Sequence, residues 1–516
     1  MPKNCSSDFT SGFFENFESS FEQFARVIER LKTKEVMRMR HSDLESLITI
    51  EGRELLRRMF EEHIRLRGVG DIGSHVIGAD GVIRSHKRLR RRKITTVFGK
   101  VTIERIGYSD RETSSLFPID AILNLPSDSY SHGMRKLVAK EVAKSSFDDA
   151  VDSVFQFTGV PIPKRSAEVL VQKAVQDFNS FYASKESQNA KQEAMQLPLV
   201  ILTADGKGIV MRQEDLTQPT QNKARTSQHK LKKRLSKGEK SNFKRMATVA
   251  SVYVINAHNR TAADIVGEFN SQKSTNKVPK PVEKRVWASI QRSTEEVLNS
   301  VFEEAAVRDP LLKKKWIFLC DGNKHQLSYV TKRAKSLGIV LTIVLDIIHV
   351  IEYLWKAARV FYPEASQKGE QWVTQRLLGI LEGNACHIAA GMRRAATLRK
   401  LKSPLRDPVD KCAKYLLNNK KYLKYDQYLA EGLPIATGVI EGACRHLIKD
   451  RMDVTGARWS LAGAEAVLKL RSLRSSGDFE EYWQYHEDQE YFRNHQDLYA
   501  DIDGVLTNFG VENLNH

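Results

Sequence analysis

A chain of 516 residues exceeds what one ordinary core organises, and at roughly 100 to 200 residues per domain it predicts about three domains. Its 41% apolar and 28% charged content is that of a globular protein, and no apolar run approaches the roughly 18 residues of a bilayer crossing, so no membrane partner is expected. A net charge of +18 favours a polyanionic partner, because Lys and Arg gain by releasing counterions from phosphates.

The opening MPKNCSSDFTSGFFENF has no basic leader, continuous apolar segment or small-residue cleavage site, so cytoplasmic residence is expected. Cysteines at 5, 320, 386, 412 and 444 form no CxxC pair and predict reduced, mostly packed thiols without a disulfide framework or structural zinc. Residues 1–75 read as a helical segment, since Phe21, Phe24, Val27, Ile28 and Leu31 recur at three- and four-residue steps. Residues 76–190 read as a DNA-binding region that opens with a β-hairpin around Gly99-Lys100. Its approach is basic: Arg84, Lys87, Arg88, Arg90, Arg91, Arg92 and Lys93 are candidates for backbone phosphates, and a solvated loop is the alternative. Two helical patterns then flank Thr158–Pro163, with Lys164, Arg165 and Ser166 opening the second, as in a helix-turn-helix or in any helical hairpin.

At Leu197 the character changes. LPLVILTAD, GKGIVMR and ATVASVYVINA predict the first three strands of a buried sheet. Between them, residues 223–245 carry Lys232, Lys233 and Arg234 in a basic run that either seeks phosphate or is a solvated linker. RVWASIQRSTEEVLNSVFEEA predicts an amphipathic helix, WIFLC a strand ending at Asp321-Gly322, HQLSYVTKRAKSL a helix, and IVLTIVL a strand ending at Asp346 before another helix. Three strands, helix, strand, helix, strand is the order of a ribonuclease-H-like sheet. The expected class is therefore α/β: a ribonuclease-H-like mixed-sheet core over 191–362 and 436–475, an all-helical insertion over 363–435, and a tail over 476–516, behind the helical and β-hairpin N-terminal region.

Phosphodiester cleavage by two magnesium ions needs hard oxygen ligands on a rigid frame, which carboxylates at adjacent strand ends provide. Asp205 and Asp321 each end an apolar strand and precede a Gly; either alone reads as an ordinary turn, and the pair reads as a site. A third acid must come from a helix, and Asp346, Glu352, Glu364, Glu382 and Glu441 are the candidates. Glu441 lies in the first turn of a helix with Arg445 and Lys449 following at four-residue spacing, which fits either a phosphate-facing surface or plain ion pairing.

LTADGKG, FLCDGN, LDIIHVIEYLW and TGVIEGACRHLIKDRMDVTGARWS, spread over roughly residues 80–475, resemble bacterial insertion-sequence transposases of the Kra type, relatives of the Mutator-like group. That resemblance implies Asp205, Asp321 and Glu441 as the DDE acids holding two Mg²⁺ ions, with Mn²⁺ as a substitute. It also implies a functional or site-supporting place for His349, three residues after Asp346, whereas on its own His349 would read as a core histidine. Lys207, Asp346, Arg458 and Trp459 are second-line candidates, Trp459 either stacking on an unpaired base or simply packed. The segment GYSDRETSSLFPIDAILNLP lacks the cysteine pair that related elements often carry, so no zinc knuckle is expected. The implied activity is cleavage at transposon ends and transfer of the 3′-hydroxyl into target DNA, by a homodimer or larger synaptic assembly on double-stranded DNA in the bacterial nucleoid. A nuclease or recombinase without strand transfer, and a DNA-binding derivative without catalysis, are the alternatives.

Overall fold

A computed structural model describes residues 16–186, 196–226, 243–269, 278–454 and 456–507. The chain divides into two compact units, one formed by residues 1–181 with 479–516 and the other by 182–478. Among the described residues no helix is long and apolar enough to cross a membrane.

In the first unit, the helical pattern becomes helices Glu18–Leu31 and His41–Leu66. Two short strands, β1 (Val76–Ile77) and β2 (Ile83–Arg84), precede the long hairpin of β3 (His86–Thr96) and β4 (Gly99–Ser109). Its turn is Val97-Phe98, two residues before the expected Gly99-Lys100, because Thr96 pairs with Gly99 and the glycine itself, at φ 135°, opens the second strand. Helices His132–Lys144, Phe147–Thr158, Lys164–Lys173 and Phe178–Glu186 follow, the second closed by Gly159 in the left-handed region at φ 70°. Of the expected tail over 476–516, helix Phe479–Asn494 belongs to this unit, and its Glu490 forms a buried ion pair with Arg135.

The second unit is built on a five-stranded mixed sheet: β5 (Leu199–Val210), β6 (Lys244–Ile255), β7 (Val282–Ser289), β8 (Lys315–Cys320) and β9 (Leu341–Leu345), in the spatial order β7-β6-β5-β8-β9. β5 runs antiparallel to β6 and parallel to β8, and β8 runs parallel to β9. Helix-covered faces explain the near-continuous apolar composition of β5 and β8, which an exposed sheet would not tolerate.

Two expectations change here. LPLVILTAD and GKGIVMR are one strand: Gly206 and Gly208 stay extended against Thr248 and Met246, where an added Cβ would come within 3.2 Å of the Met246 side chain and 2.9 Å of the Lys244 side chain. Asp205 thus lies inside β5, opposite Val249, and not at a strand end. The third strand comes from VEKRVWAS, read from sequence as the start of a helix; that helix begins at Thr294, behind a capping box of Ser293 and Glu296. Buried Glu465 holds the junction by accepting from the Ser289 hydroxyl and the Ile290 amide at 3.0 and 2.9 Å. The expected helical excursion consists of Gln367–Leu381, Ala385–Leu398, Asp407–Asn418 and Tyr425–Ala430.

Two histidines give the first unit an acid-sensitive joint. His132 and His495 are largely buried, and each Nε2 lies 3.0 Å from a backbone carbonyl of the Asn124–Leu125 turn, which the neutral ring's N–H satisfies. Burial pulls both imidazoles down to about 4. A folded value below the unfolded 6.5 means that the stabilisation is present above that pH and lost as pH falls towards 4, at up to about 3 kcal/mol per ring. We expect urea-unfolding midpoints to drop between pH 7 and 4.5 for the wild-type protein, and to drop less for His132→Gln/His495→Gln, which keeps an N–H donor and cannot titrate. An equal drop in both proteins would remove these rings as its cause.

Candidate active site and nucleic-acid surface

Register brings the acids together. β5 pairs with β8 from Leu199↔Lys315 to Thr203↔Leu319, and the same offset carried two residues further sets Asp205 beside Asp321. β8 pairs with β9 up to Cys320↔Leu345, so the next step sets Asp321 beside Asp346. Asp205 and Asp321 thus each lie two residues past the last β5–β8 pair, and Asp346 one residue past the last β8–β9 pair, at the same edge of the sheet.

Their surroundings differ. Asp205 is partly exposed, its Oδ1 accepting from the Gly206 amide at 2.6 Å and its Oδ2 from the Lys207 ammonium at 2.9 Å and the Cys444 thiol at 3.3 Å. Asp321 uses Oδ1 to accept from the Asn323 amide at 2.9 Å, while its backbone carbonyl accepts from the Tyr415 hydroxyl at 3.0 Å. Oδ2 of Asp321 has no hydrogen-bond partner among the described residues. Asp346 is fully buried and spends both oxygens: Oδ1 caps helix Ile347–Phe361 through the Ile348 amide at 3.0 Å, and Oδ2 takes the Thr437 hydroxyl. Burial lifts the Asp346 carboxyl above the usual range, against the hydrogen bonds from Thr437 and Ile348.

Thr437 directly precedes the helix that carries Glu441, yet its side chain makes no cap bond and turns to Asp346 instead. Glu441 is largely exposed on helix Gly438–Ala443; partial desolvation of its carboxylate, then the nearby charges of Asp346 and Glu352, raise it above its ordinary range, while His349 and Lys207 pull the other way. His349 is half-buried one turn into its helix and is thus an electrostatic neighbour of Glu441 and Asp346. Lys207 is held charged by Asp205 despite partial burial. Cys444, three residues after Glu441, is the contact that sequence reading missed; burial and the Asp205 carboxylate push its thiol up. The spacing from Glu441 was the available signal.

After Ala443 the helix widens into a π-turn over Cys444–Lys449. Bonding from i to i+5 breaks the four-residue stacking, so Arg445 and Lys449 do not continue the Glu441 face as expected. Both are exposed, with Arg445 Nε 3.6 Å from Asp450. Trp459 is packed: its indole donates to the Met452 carbonyl at 3.0 Å, and its backbone pairs with Met211. Arg458 is exposed near the Phe243 ring.

Carboxylate oxygens are the donors a hard divalent cation takes, and the Lys207 ammonium places positive charge on one of them, Oδ2 of Asp205. Among the described residues, however, no three His, Cys, Asp or Glu side chains are drawn close enough to form a closed metal cage.

The basic approach to the hairpin divides by role. Arg84 is 2% exposed and is consumed by Asp80 and the Ser114 carbonyl, so it presents no charge to a partner. Arg92 is turned inward onto Asp120 at 3.1 Å and the Asp128 carbonyl at 2.6 Å. Both are corrections to the expected phosphate contacts: Arg84, at the end of β2, closes back on Asp80 and reaches Ser114, and Arg92 faces the residues 120–128 on which the hairpin packs. Lys87 pairs with Asp71 and Arg91 with Glu104, whereas Arg88, Arg90 and Lys93 are exposed without an ion pair among the described residues. Lys232, Lys233 and Arg234 lie outside the described residues.

No family model and no curated protein matches the chain. Among solved structures, it is similar to the Drosophila P element transposase strand transfer complex at 8% identity, covering 72% of this chain and 82% of that one. The TM-score of 0.23 is too low for this likeness to carry an argument.

The division of the basic residues is testable by stability alone. Arg92→Ala should cost about 2 kcal/mol, because it removes a cation from buried Asp120, and Arg84→Ala, whose acceptors Asp80 and Ser114 are exposed, should lower the melting temperature by less, while Arg88→Ala and Arg90→Ala should melt like the wild type. Indistinguishable melting curves for all four variants would show that the inward pair does not support the hairpin.

Proposed function

We propose that this chain is a DNA transposase on a ribonuclease-H-like core, cutting transposon ends and transferring the 3′-hydroxyl into target DNA. The observation that carries the reading is the shared register of Asp205 and Asp321, with the Glu441 helix tied to the first of them through Cys444. The sheet order supports the core type: the first strand is central, β6 and β7 are added on one side by successive antiparallel pairings, and β8 and β9 on the other by parallel ones. The motif resemblance supports strand transfer over hydrolysis alone.

Asp205, Asp321 and Glu441 would hold two Mg²⁺ ions, or Mn²⁺ in their place; when bound, such ions activate an oxygen nucleophile and stabilise the departing 3′ oxygen. The chain's own groups do the rest. Lys207 neutralises Asp205 until a phosphate arrives to which its ammonium can transfer. His349, partly exposed beside Glu441, is placed to contact a phosphate or hold a proton. Arg88, Arg90 and Lys93 grip the double-stranded backbone, with Arg445 and Lys449 as further contacts. Bringing two ends together makes a homodimer or larger assembly the working form, in the nucleoid of a bacterial cytoplasm.

Asp205→Ala, Asp321→Ala and Glu441→Ala should each reduce Mg²⁺-dependent cleavage of end-labelled terminal-repeat DNA to background, with binding in a gel shift nearly intact. Cleavage without joined products would select a nuclease, and wild-type cleavage by all three variants would end the proposal. In a separate titration, neutralising Arg88, Arg90 and Lys93 should lower the slope of log affinity against log salt by roughly 0.9 per residue. An unchanged slope would take the hairpin out of the DNA interface.

A further inference from the structure

Next to Asp321 lies a hollow of about 530 Å³ with two facing walls. One wall is helix Lys324–Ser336, where Lys324 and Lys332, eight residues apart, share a face. The other is formed by the end of helix Asp407–Asn418 and the single turn Lys420–Tyr422, and contributes Tyr415, Lys421 and Tyr422. Gly322 lies between them, at φ 90°, joined directly to Asp321.

The lining has a one-sided charge. Lys324, Lys332 and Lys421 border the hollow, no Asp or Glu does, and none of the three makes an ion pair among the described residues. The Lys421 ammonium stands 4.7 Å from the centre of the Tyr422 ring, so cationic and aromatic surface are side by side. Tyr415 is stacked on Tyr353 at 4.2 Å between ring centres and tied to the Asp321 carbonyl, which fixes that wall relative to the acid. Unbalanced ammonium groups call for an anion, and a half-exposed tyrosine beside them offers a flat face for an aromatic ring.

We infer that this hollow binds a nucleotide, its phosphate on Lys324, Lys332 and Lys421 and its base against Tyr422, and that the nucleotide belongs to the DNA strand passing Asp321. The inference rests on the proposed function for its strand assignment. It also gives that reading a directional element, since the acids alone do not say on which side of the cut bond the strand is held.

Binding can be tested without cleavage, in chelator, by fluorescence anisotropy of the full chain with a short labelled single-stranded DNA. Lys324→Gln/Lys332→Gln should lower the slope of log affinity against log salt by about 0.7 per lysine, and Tyr422→Ala should weaken binding by about tenfold. Lys368→Gln, on a different helix, is the control. A bromodeoxyuridine-substituted strand should crosslink to the peptide containing Tyr415 and Tyr422. Competition by a free nucleoside monophosphate as effective as by the oligonucleotide would overturn the strand assignment, while unchanged binding by the folded variants, or crosslinking elsewhere, would overturn the site. Because no acid is altered and no metal is present, failure here leaves the cleavage test untouched, and failure of cleavage leaves this binding test intact.

Discussion

Parallel pairing of β8 with both β5 and β9 is the constraint on which the candidate site depends. In antiparallel pairs, successive strand ends fall on opposite edges of a sheet; in parallel ones they fall on the same edge, and the register decides which residues become neighbours. Two constant offsets place Asp205, Asp321 and Asp346 at the same edge of the sheet, and the helices covering the sheet are what make such pairing sustainable, because parallel strands need both faces buried. The apolar runs that form the core thus also set the spacing of the acids.

Along that edge the chemistry is unequal. Asp346 is buried with both oxygens engaged, so it is a structural tie between the end of β9 and the start of the Glu441 helix. Asp321 retains an oxygen uncommitted among the described residues, and Asp205 is balanced by the half-exposed Lys207 ammonium. Glu441 reaches the same neighbourhood from a helix and is held above its normal range by burial and by Asp346. Crowded like charges of this kind are costly in the absence of a cation and are relieved by one.

Much of this was legible from the sequence, and the parts that were not have physical causes. WIFLC announced a strand because an uninterrupted apolar run fits a strand covered on both faces, IVLTIVL did so as an apolar, β-branched run at the sheet's margin, and the acids that followed them marked the strand ends. VEKRVWAS was misread because Val286, Ile290, Val297 and Leu298 also satisfy a helical period, and the Glu465 contact that ends the strand lies far away in sequence. Gly206 and Gly208 looked like a turn, since glycine permits one; here it is close approach to β6 that uses them. Arg84 and Arg92 looked like their neighbours because charge in a sequence does not reveal which way a strand's side chains point once the hairpin packs. The π-turn after Ala443 changes helical phase by a bonding choice that no residue count discloses.

The hydrogen bond between Asp346 and Thr437 joins positions 91 residues apart, and nearly all the chain between them is helical excursion. The excursion is held at more than its two ends: its helices share one core with the sheet, and the Tyr415 and Tyr425 hydroxyls donate to the Asp321 and Leu345 carbonyls at the strand ends. The largely exposed connection between helices Ala385–Leu398 and Asp407–Asn418 is loop, and there closure entropy adds just about 0.6 kcal/mol for each doubling of length. The architecture thus places tolerance of insertions at that connection, while the helices on either side carry contacts that the acids' edge of the sheet relies on.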